Sequence, residues 1–191
     1  MRSALIPFLL IFLTGCGVQS LPEGKNEVEA SWAEVQNQFK RRADLIPNLV
    51  NTVKGYAKQE KETLTAVIEA RAKATQTNIP IENLNQDTLN QFSKAQAGLS
   101  GALSKLMVVV ERYPDLKSNE NFKQLQFQLE GTENRITVAR NRYIESIKNF
   151  NNKVTVPPTS WTNSLFYKFE KMPQYQVENL DSVKDAPKVE F

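Results

Sequence analysis

The sequence predicts an all-α fold, an antiparallel bundle of three long helices followed by a short C-terminal fourth helix. Apolar residues recur at helical spacings of three and four along three long stretches of the 191-residue chain. The chain contains seven glycines, fewer than a fold with many tight turns uses. Proline-containing links separate the stretches, and because short links favour antiparallel neighbours, we expect the second helix to run against the other two.

Residues 1–15 are predicted to be a lipoprotein signal peptide. Arg2 is followed by an apolar run of ten residues, Ala4 to Leu13, which is too short to span about 30 Å of hydrocarbon. The next residues, Leu13-Thr14-Gly15-Cys16, resemble the lipobox of bacterial lipoprotein precursors. That resemblance implies cleavage before Cys16 and transfer of a diacylglyceryl group to its thiol, with palmitate among the acyl chains. The alternative is an uncleaved apolar segment with an incidental cysteine.

The lipidated cysteine predicts the location of the protein. One acyl chain binds a membrane only marginally, whereas two or three chains anchor a protein firmly. We therefore expect the chain on the extracytoplasmic side of a membrane in a bacterial cell envelope. Gly17 after the cysteine favours the periplasmic face of the outer membrane if the cell is Gram-negative.

The first helical stretch follows a short link. Residues 16–25 contain Pro22 and Gly24 and are predicted to be a lipidated tether, and the bundle is expected over residues 26–155. Pro47 lies inside the first stretch and predicts a kink near Arg42 and Ala43. The apolar positions of this stretch are Val28, Trp32, Val35, Phe39, Ile46, Leu49, Val53, Tyr56, Leu64 and Val67.

Two further stretches complete the predicted bundle. A loop at residues 75–81 precedes the second one, Leu89 to Tyr113, which Pro114 ends. Ser118 is the expected N-cap of the third helix. Residues 156–191 are predicted to form a short helix and an extended tail. The expected core includes Leu49, Val53, Leu103, Leu106, Leu129, Ile136 and Tyr143.

The composition argues against most enzymatic chemistry. The chain has no histidine and a single cysteine, so the usual general base near neutral pH, a disulfide and a thiolate metal cluster are all missing. Carboxylates such as Glu60, Glu69 and Glu133 show no metal-ligand spacing. The formal charge of +3 is too small to indicate the basic face that nucleic-acid binding needs. We expect no catalytic residues, no cofactor and no metal.

Some positions that should face the core of the bundle carry polar residues. These positions are the most informative exceptions to the apolar pattern. Arg42 and Glu60 fall where apolar residues belong, and such residues need partners or water when buried. They either fix the register of the helices or form part of a docking site. From the predicted topology, Asp115 should pair with Arg41 or Arg42. Arg140 should likewise pair with Glu60. The full set of candidate network residues is Arg42, Asn48, Glu60, Asp115, Glu133, Asn134 and Arg140.

Trp32 and Phe39 are predicted to lie on an exposed partner surface. A single long first helix would extend beyond the corner at Pro114 and leave this part of its apolar stripe without neighbours. An exposed apolar patch usually marks an interaction surface. We expect it to bind a second copy of the chain or an envelope protein.

Four segments in order resemble the LemA family. They are residues 41–50 (RRADLIPNLV) with Val53-Lys54-Gly55-Tyr56, residues 113–117 (YPDLK), a third run with Leu129, Thr132-Glu133-Asn134, Ala139-Arg140, Tyr143 and Phe150-Asn151, and the terminal residues 186–191 (APKVEF). The resemblance implies an antiparallel helical bundle outside the cytoplasm on a membrane anchor. It implies no enzymatic activity, since the family has no established one. Two departures are the lipobox in place of the usual transmembrane helix and Ile144 in place of the usual Asn.

The resemblance implies an envelope role, because relatives occur beside membrane-remodelling and envelope-stress proteins. We therefore expect a scaffold or adaptor that contacts the membrane through Cys16 and binds an envelope protein or itself. The alternative is a protein that coats or remodels the bilayer directly. A remodelling protein should carry an apolar or basic face near its anchor. Residues 17–40 hold more Glu than Lys, which favours the adaptor.

Overall fold

The computed structural model describes residues 5–76 and 79–175, with side chains from residue 19 onward. Every regular element within these residues is helical, so the predicted all-α class is confirmed. In chain order the elements are α1 (Leu5–Tyr56), α2 (Lys61–Gln76), a 3₁₀ turn (Ile81–Asn83), α3 (Gln86–Val110), α4 (Pro114–Ser118), α5 (Glu120–Thr155), α6 (Thr159–Thr162) and a π-helical turn (Asn163–Tyr167).

The first apolar stretch forms two helices rather than the one predicted. The chain reverses direction at residues 57–60, where Ala57 is fully buried and its carbonyl accepts from the N–H of Glu60 (3.1 Å). Leu64 and Val67 continue the apolar spacing beyond this corner and are also buried. An apolar stripe records which face of a helix is buried, not the direction of its axis, so the corner is invisible in the periodicity.

Because of this corner, α2 runs antiparallel to α1. Arg71 in α2 donates from Nε to the carbonyl of Ala43 (2.8 Å). Farther along the chain, the carbonyl of Ile79 accepts from the indole N–H of Trp32 (2.8 Å). As the residue numbers rise along α2 and the link after it, the residue numbers of their partners in α1 fall.

The next long helix, α3, runs parallel to α1. Its middle lies beside the middle of α1, where Arg42 donates to Ser100 Oγ (2.9 Å). Its end lies beside the corner, where the hydroxyl of Tyr113 donates to Glu60 (2.8 Å). The expectation that this helix would run against both neighbours is therefore wrong with respect to α1, since the chain has already reversed once before it.

The last long helix, α5, runs antiparallel to α1 over most of its length. At the upper end, which holds the corner, Asn119 donates to the hydroxyl of Tyr56 (2.9 Å). At the lower end, the hydroxyls of Ser31 and Ser146 share a hydrogen bond (2.7 Å). α1, α2, α3 and α5 thus form an up-down-up-down four-helix bundle.

The core consists of two apolar clusters, one above the other. The upper cluster joins all four long helices, and the lower cluster joins α1, α3 and α5 with the link after α2. Of the predicted core residues, Leu49, Val53, Leu106, Leu129, Ile136 and Tyr143 are buried, and Leu103 is half-buried against the upper cluster. The phase of each predicted stripe is therefore correct, except at Tyr56, which is 45% exposed.

At the lower end α1 and α5 continue beyond the other helices, and part of the predicted tether belongs to this pair. Residues 19–25 are helical rather than extended, and Leu21 is fully buried. Lys153 donates from Nζ to the carbonyl of Ser20 (3.2 Å). Gly24 faces Phe150 and Lys153 at this point, and a Cβ there would lie at ordinary contact distance (3.4 Å) from both side chains.

The C-terminal residues return along the lower end of the bundle. The predicted short helix is α6 with the π-helical turn, and this unit packs against both α1 and α5. The chain then ascends to Tyr175, whose ring meets that of Tyr143 edge-on at 5.6 Å. The rest of the predicted tail, residues 176–191, lies outside the described residues, as does the terminal APKVEF motif.

One predicted helix signal differs in detail from the structure. Asn119, rather than Ser118, caps α5, and its Oδ1 accepts from the N–H of Phe122 (3.0 Å). α1 continues through Pro47 without a break in its helical assignment. Among the described residues, no helix combines the length and the apolarity that crossing a bilayer requires.

Candidate functional site: the Arg42 layer and the adjoining groove

A buried arginine lies at the centre of the bundle. Arg42 occupies the inward stripe of α1 between Phe39 and Ile46 and is 2% exposed. Its Nη1 donates to Glu133 Oε2 and Ser100 Oγ, both at 2.9 Å. Its Nη2 donates to the side-chain and backbone oxygens of Gln96, at 2.9 and 3.2 Å. The guanidinium therefore joins α1 to both α3 and α5.

The electrostatics of this layer are asymmetric. Burial lowers the pKa of Arg42, while the charge of Glu133 and the hydrogen bond to it act in the opposite direction. The Arg42 side chain is 3% exposed, whereas that of Glu133 is 56% exposed. The ring of Phe39 lies 5.0 Å from the guanidinium and provides a cation–π contact. Since the carboxylate is half-solvated, the neutral partners carry much of the stabilisation of the buried charge.

The same layer includes α2 through the hydrogen bonds of two further side chains. Gln96 donates from Nε2 to the carbonyl of Ala74 (3.1 Å), and Arg71 donates to that of Ala43 (2.8 Å). Ala43 is four residues before Pro47, which has no N–H to complete this helical bond. Arg71 supplies the donor that the proline lacks, and all four long helices are thereby joined at one level.

Glu60 and Arg140, which the sequence analysis paired, lie far apart. Glu60 is at the upper corner and accepts from Arg112 (3.1 Å) and from the hydroxyl of Tyr113 (2.8 Å). This hydrogen bond raises the pKa of Tyr113. Arg140 lies in the lower half, with its guanidinium 4.8 Å from the ring centre of Tyr175. The predicted pair is wrong, because the prediction assumed that α3 runs antiparallel to α1.

The predicted pairing of Asp115 with Arg41 or Arg42 is wrong for the same reason. Asp115 belongs to α4, which lies at the upper corner. This corner is about 15 residues, or roughly 22 Å, along α1 from Arg42. Two other candidate network residues lie on the surface. Asn48 lines a shallow depression between α1 and α5, and Asn134 lines another on the same helix pair. Only Arg42 and Glu133 of the candidate set bond to each other among the described contacts.

The predicted partner surface at Trp32 and Phe39 is also wrong. Trp32 is 2% exposed and Phe39 is 8% exposed. The ring of Phe92 contacts both of them edge-on, at 5.2 and 5.1 Å. Tyr143 covers Trp32 from α5 at 5.1 Å. The chain folds back at residues 57–60, so α3 begins beside this stretch instead of ending above it.

A groove of about 550 Å³ opens beside the Arg42 layer, between α1, α2 and α3. Its floor is formed by Phe39, Phe92 and Gln96, and Lys40, Asp44 and Arg71 line its rim. The groove offers cations, a carboxylate and amides on an aromatic base, but no nucleophile paired with a base. It suits recognition of a polar ligand rather than its conversion. No sequence pattern indicated this groove, because its walls meet only after the chain reverses.

The described residues form no cluster of the kind that holds a metal ion. No group of three or more His, Cys, Asp or Glu side chains lies close enough there to hold a metal ion. The predicted lipidation residue, Cys16, lies among the residues whose side chains the structure does not describe.

Comparisons with known proteins agree with the resemblance seen in the sequence. A sequence profile of the LemA family matches residues 31–191. Protein LemA of Metamycoplasma hominis is 26% identical over 173 residues, which are 85% of this chain and 74% of that protein. Magnetosome protein MamQ 2 of Paramagnetospirillum magneticum is 24% identical over 152 residues, 71% of this chain and 56% of that protein. Magnetosome protein MamQ of Magnetospirillum gryphiswaldense is 23% identical over 149 residues, 69% and 55% respectively. The chain thus spans little more than half the length of the MamQ proteins.

Proposed function

The chain belongs to the LemA family, and we propose that it acts as a lipid-anchored scaffold or adaptor of the bacterial cell envelope. In this proposal, lipid on Cys16 attaches the chain to the extracytoplasmic face of a membrane. The bundle then presents the groove beside Arg42 to an envelope protein. The periplasmic face of the outer membrane is the proposed location in a Gram-negative cell.

One observation carries this proposal: a single helix connects the predicted anchor with the groove. α1 includes both Cys16 and Lys40, which are 24 residues apart and therefore separated by roughly 36 Å along the axis. A continuous helix holds the groove at a fixed height outside the headgroup layer. The Arg42 layer keeps the other long helices in register with α1. Rigid presentation of a recognition surface is what an adaptor requires.

The charges of the groove favour an extended peptide segment that carries a carboxylate. Lys40 and Arg71 outnumber Asp44 at the rim. Asn37 and Thr75 add amide and hydroxyl groups that can bond to a peptide backbone. Phe39 and Phe92 beneath them form an apolar floor against which the segment can pack.

Site-specific photocrosslinking in cells tests the adaptor role. A photoreactive residue placed at exposed Asn37, Lys40 or Thr75 should give a discrete adduct with another envelope protein. The same residue at Phe127, which is 75% exposed on α5, is the matched control. Equal adducts from both surfaces, or a groove adduct with a second copy of the chain, would contradict the adaptor proposal.

The anchor is tested separately by fatty-acid labelling. Cys16→Ser removes the thiol that takes the lipid, so labelling should be lost and the larger, uncut precursor should accumulate. Equal labelling of the two proteins would refute lipidation at Cys16.

The second candidate is coating of the bilayer itself, and one feature favours it. An uncharged apolar surface lies at the lower end of the bundle, on α6 and the π-helical turn. Coating predicts that the purified lipoprotein deforms vesicles at high surface density, which electron microscopy would show. A scaffold leaves the vesicles spherical.

A further inference from the structure

The lower end of the bundle carries an exposed apolar surface that the core does not use. Trp161, Leu165 and Phe166 are 65%, 74% and 70% exposed. They belong to α6 and the π-helical turn, in which residues four and five positions apart share one face. These three residues are called the end patch below.

The end patch lies at the end of the molecule where the anchor is proposed. The hydrogen bond from Lys153 to the carbonyl of Ser20 places the last turn of α5 beside that part of α1. Cys16 is four residues, or about 6 Å, farther toward the N-terminus of α1. α6 begins four residues after the end of α5 and contacts both helices. The end patch and Cys16 therefore occupy similar heights on the bundle.

The end patch is held in place by side-chain hydrogen bonds rather than carried on a loose loop. Asn163 is buried, and its amide bonds to both the N–H and the carbonyl of Phe169, each at 2.9 Å. Lys168 adopts a left-handed conformation (φ 55°) that turns the chain back toward the bundle. Asn151 in α5 then bonds to the N–H and carbonyl of Met172, at 2.9 and 3.0 Å. The exposure of the patch is thus imposed by the fold.

The composition around the end patch matches a lipid surface. Residues 154–167 contain no charged side chain, in a chain that is 24% charged. Lys153, Lys168 and Lys171 flank this stretch against a single acidic residue, Glu170. Tryptophan and phenylalanine settle at the headgroup level of a bilayer, and flanking lysines are attracted to anionic lipid.

We propose that the end patch inserts into the headgroup region of the bilayer beside the lipid on Cys16 and forms a second membrane contact. This inference rests on the anchor in the proposed function. Two contacts at the same end prevent the bundle from lying down on the membrane. The groove is then held outward, at the height that α1 sets.

Tryptophan fluorescence can test the contact, because the chain has only two tryptophans and they differ in burial. Trp32 is 2% exposed in the core, whereas Trp161 is 65% exposed. The purified lipoprotein is reconstituted into vesicles of zwitterionic and anionic phospholipid that contain brominated lipid. We expect roughly a twofold or greater loss of Trp161 emission, because bromine quenches indole rings that reach the headgroup boundary. Trp161→Phe isolates the background of Trp32.

A reporter at the other end of the same anchored molecule is the matched control. Phe127→Trp in the Trp161→Phe background places an equally exposed indole on the upper half of α5, where no quenching is expected. Leu165→Ser with Phe166→Ser should weaken the quenching of Trp161 while leaving the helical content unchanged, since both residues are exposed.

Three results decide the proposal. It is overturned if Trp161 is quenched no more than the indole at position 127. It is also overturned if Trp161 is shielded from both brominated lipid and aqueous quencher, since a protein surface then covers the patch. If fatty acid is absent from Cys16 but membrane-bound Trp161 is still quenched, the lipid anchor fails and the end patch stands.

Discussion

The replacement of a missing helical hydrogen bond by Arg71 gives a prediction about stability. Pro47 has no N–H that could donate to the carbonyl of Ala43. This carbonyl accepts a hydrogen bond from Arg71 Nε instead (2.8 Å). A hydrogen bond from a charged donor contributes about 1.5–3 kcal/mol, so Arg71→Met should lower the free energy of unfolding by about that amount. In a Pro47→Ala background the new N–H of residue 47 can bond to Ala43, and the cost of Arg71→Met should fall below about 0.5 kcal/mol.

A double-mutant cycle measures this coupling directly. The wild type, the two single variants and the double variant are unfolded in urea and followed by far-UV circular dichroism, with Arg135→Met on the surface of α5 as a control for loss of an arginine. The direct effect of Pro47→Ala on helix stability cancels in the cycle. If Arg71→Met costs the same with proline and with alanine at position 47, Arg71 does not substitute for the missing donor and the reasoning is refuted.

Three further predictions follow from burial and hydrogen bonding. Glu133→Gln should cost less than about 1 kcal/mol, because the carboxylate is half-solvated, whereas Gln96→Ala should cost about 2–4 kcal/mol because it removes a bond to Arg42 and another to Ala74. The reverse order in urea unfolding would show that the ion pair dominates the layer. Leu129→Ala should cost about 2–5 kcal/mol, since Leu129 is 8% exposed in the upper cluster, and a loss below about 0.5 kcal/mol would contradict that burial. Burial raises the pKa of Tyr175 to about 12 and also raises that of Tyr143. Raised folded-state pKa values stabilise the fold below the ordinary value of 10.0, and this contribution is lost as pH rises through them. The melting temperature should therefore fall above about pH 10. The double variant Tyr143→Phe with Tyr175→Phe should show a smaller fall. A dependence of the melting temperature on pH that the substitutions leave unchanged would contradict this reasoning.

The Arg42 layer shows how far sequence reasoning reached into the candidate site. Arg42 stood out because a charged residue occupied an apolar seam, and the structure places it at the centre of the bundle. Glu133 was included among the candidate network residues because it lies beside an inward-facing position of the third stretch, and it is the ionic partner of Arg42. Gln96 and Arg71 were missed, because an amide or an arginine on a helix has no distinctive pattern when its neighbours are unknown. Their roles depend on backbone carbonyls of other helices.

The packing of α3 and α5 against α1 also changes how the aromatic residues of α1 are interpreted. Trp32 and Phe39 were expected to meet a partner, yet Phe92 and Tyr143 bury them within the chain. Trp161 and Phe166 are exposed instead, on a segment that the sequence identified only as a short helix. A surface for a partner or a membrane is what remains after the core is filled, so it is defined by contacts between distant segments.

The sequence by itself determined the helical class, the buried face of each stretch and the lipobox-like segment that leads into the bundle. These features are local, because helical periodicity, helix-breaking prolines and a short motif are contained within a few turns of chain. Only the tertiary structure decided the direction of the helices. The reversal at residues 57–60 leaves the apolar period in phase, so the number of long helices, the partners of Arg42 and the surfaces left exposed all depended on a turn that periodicity does not record.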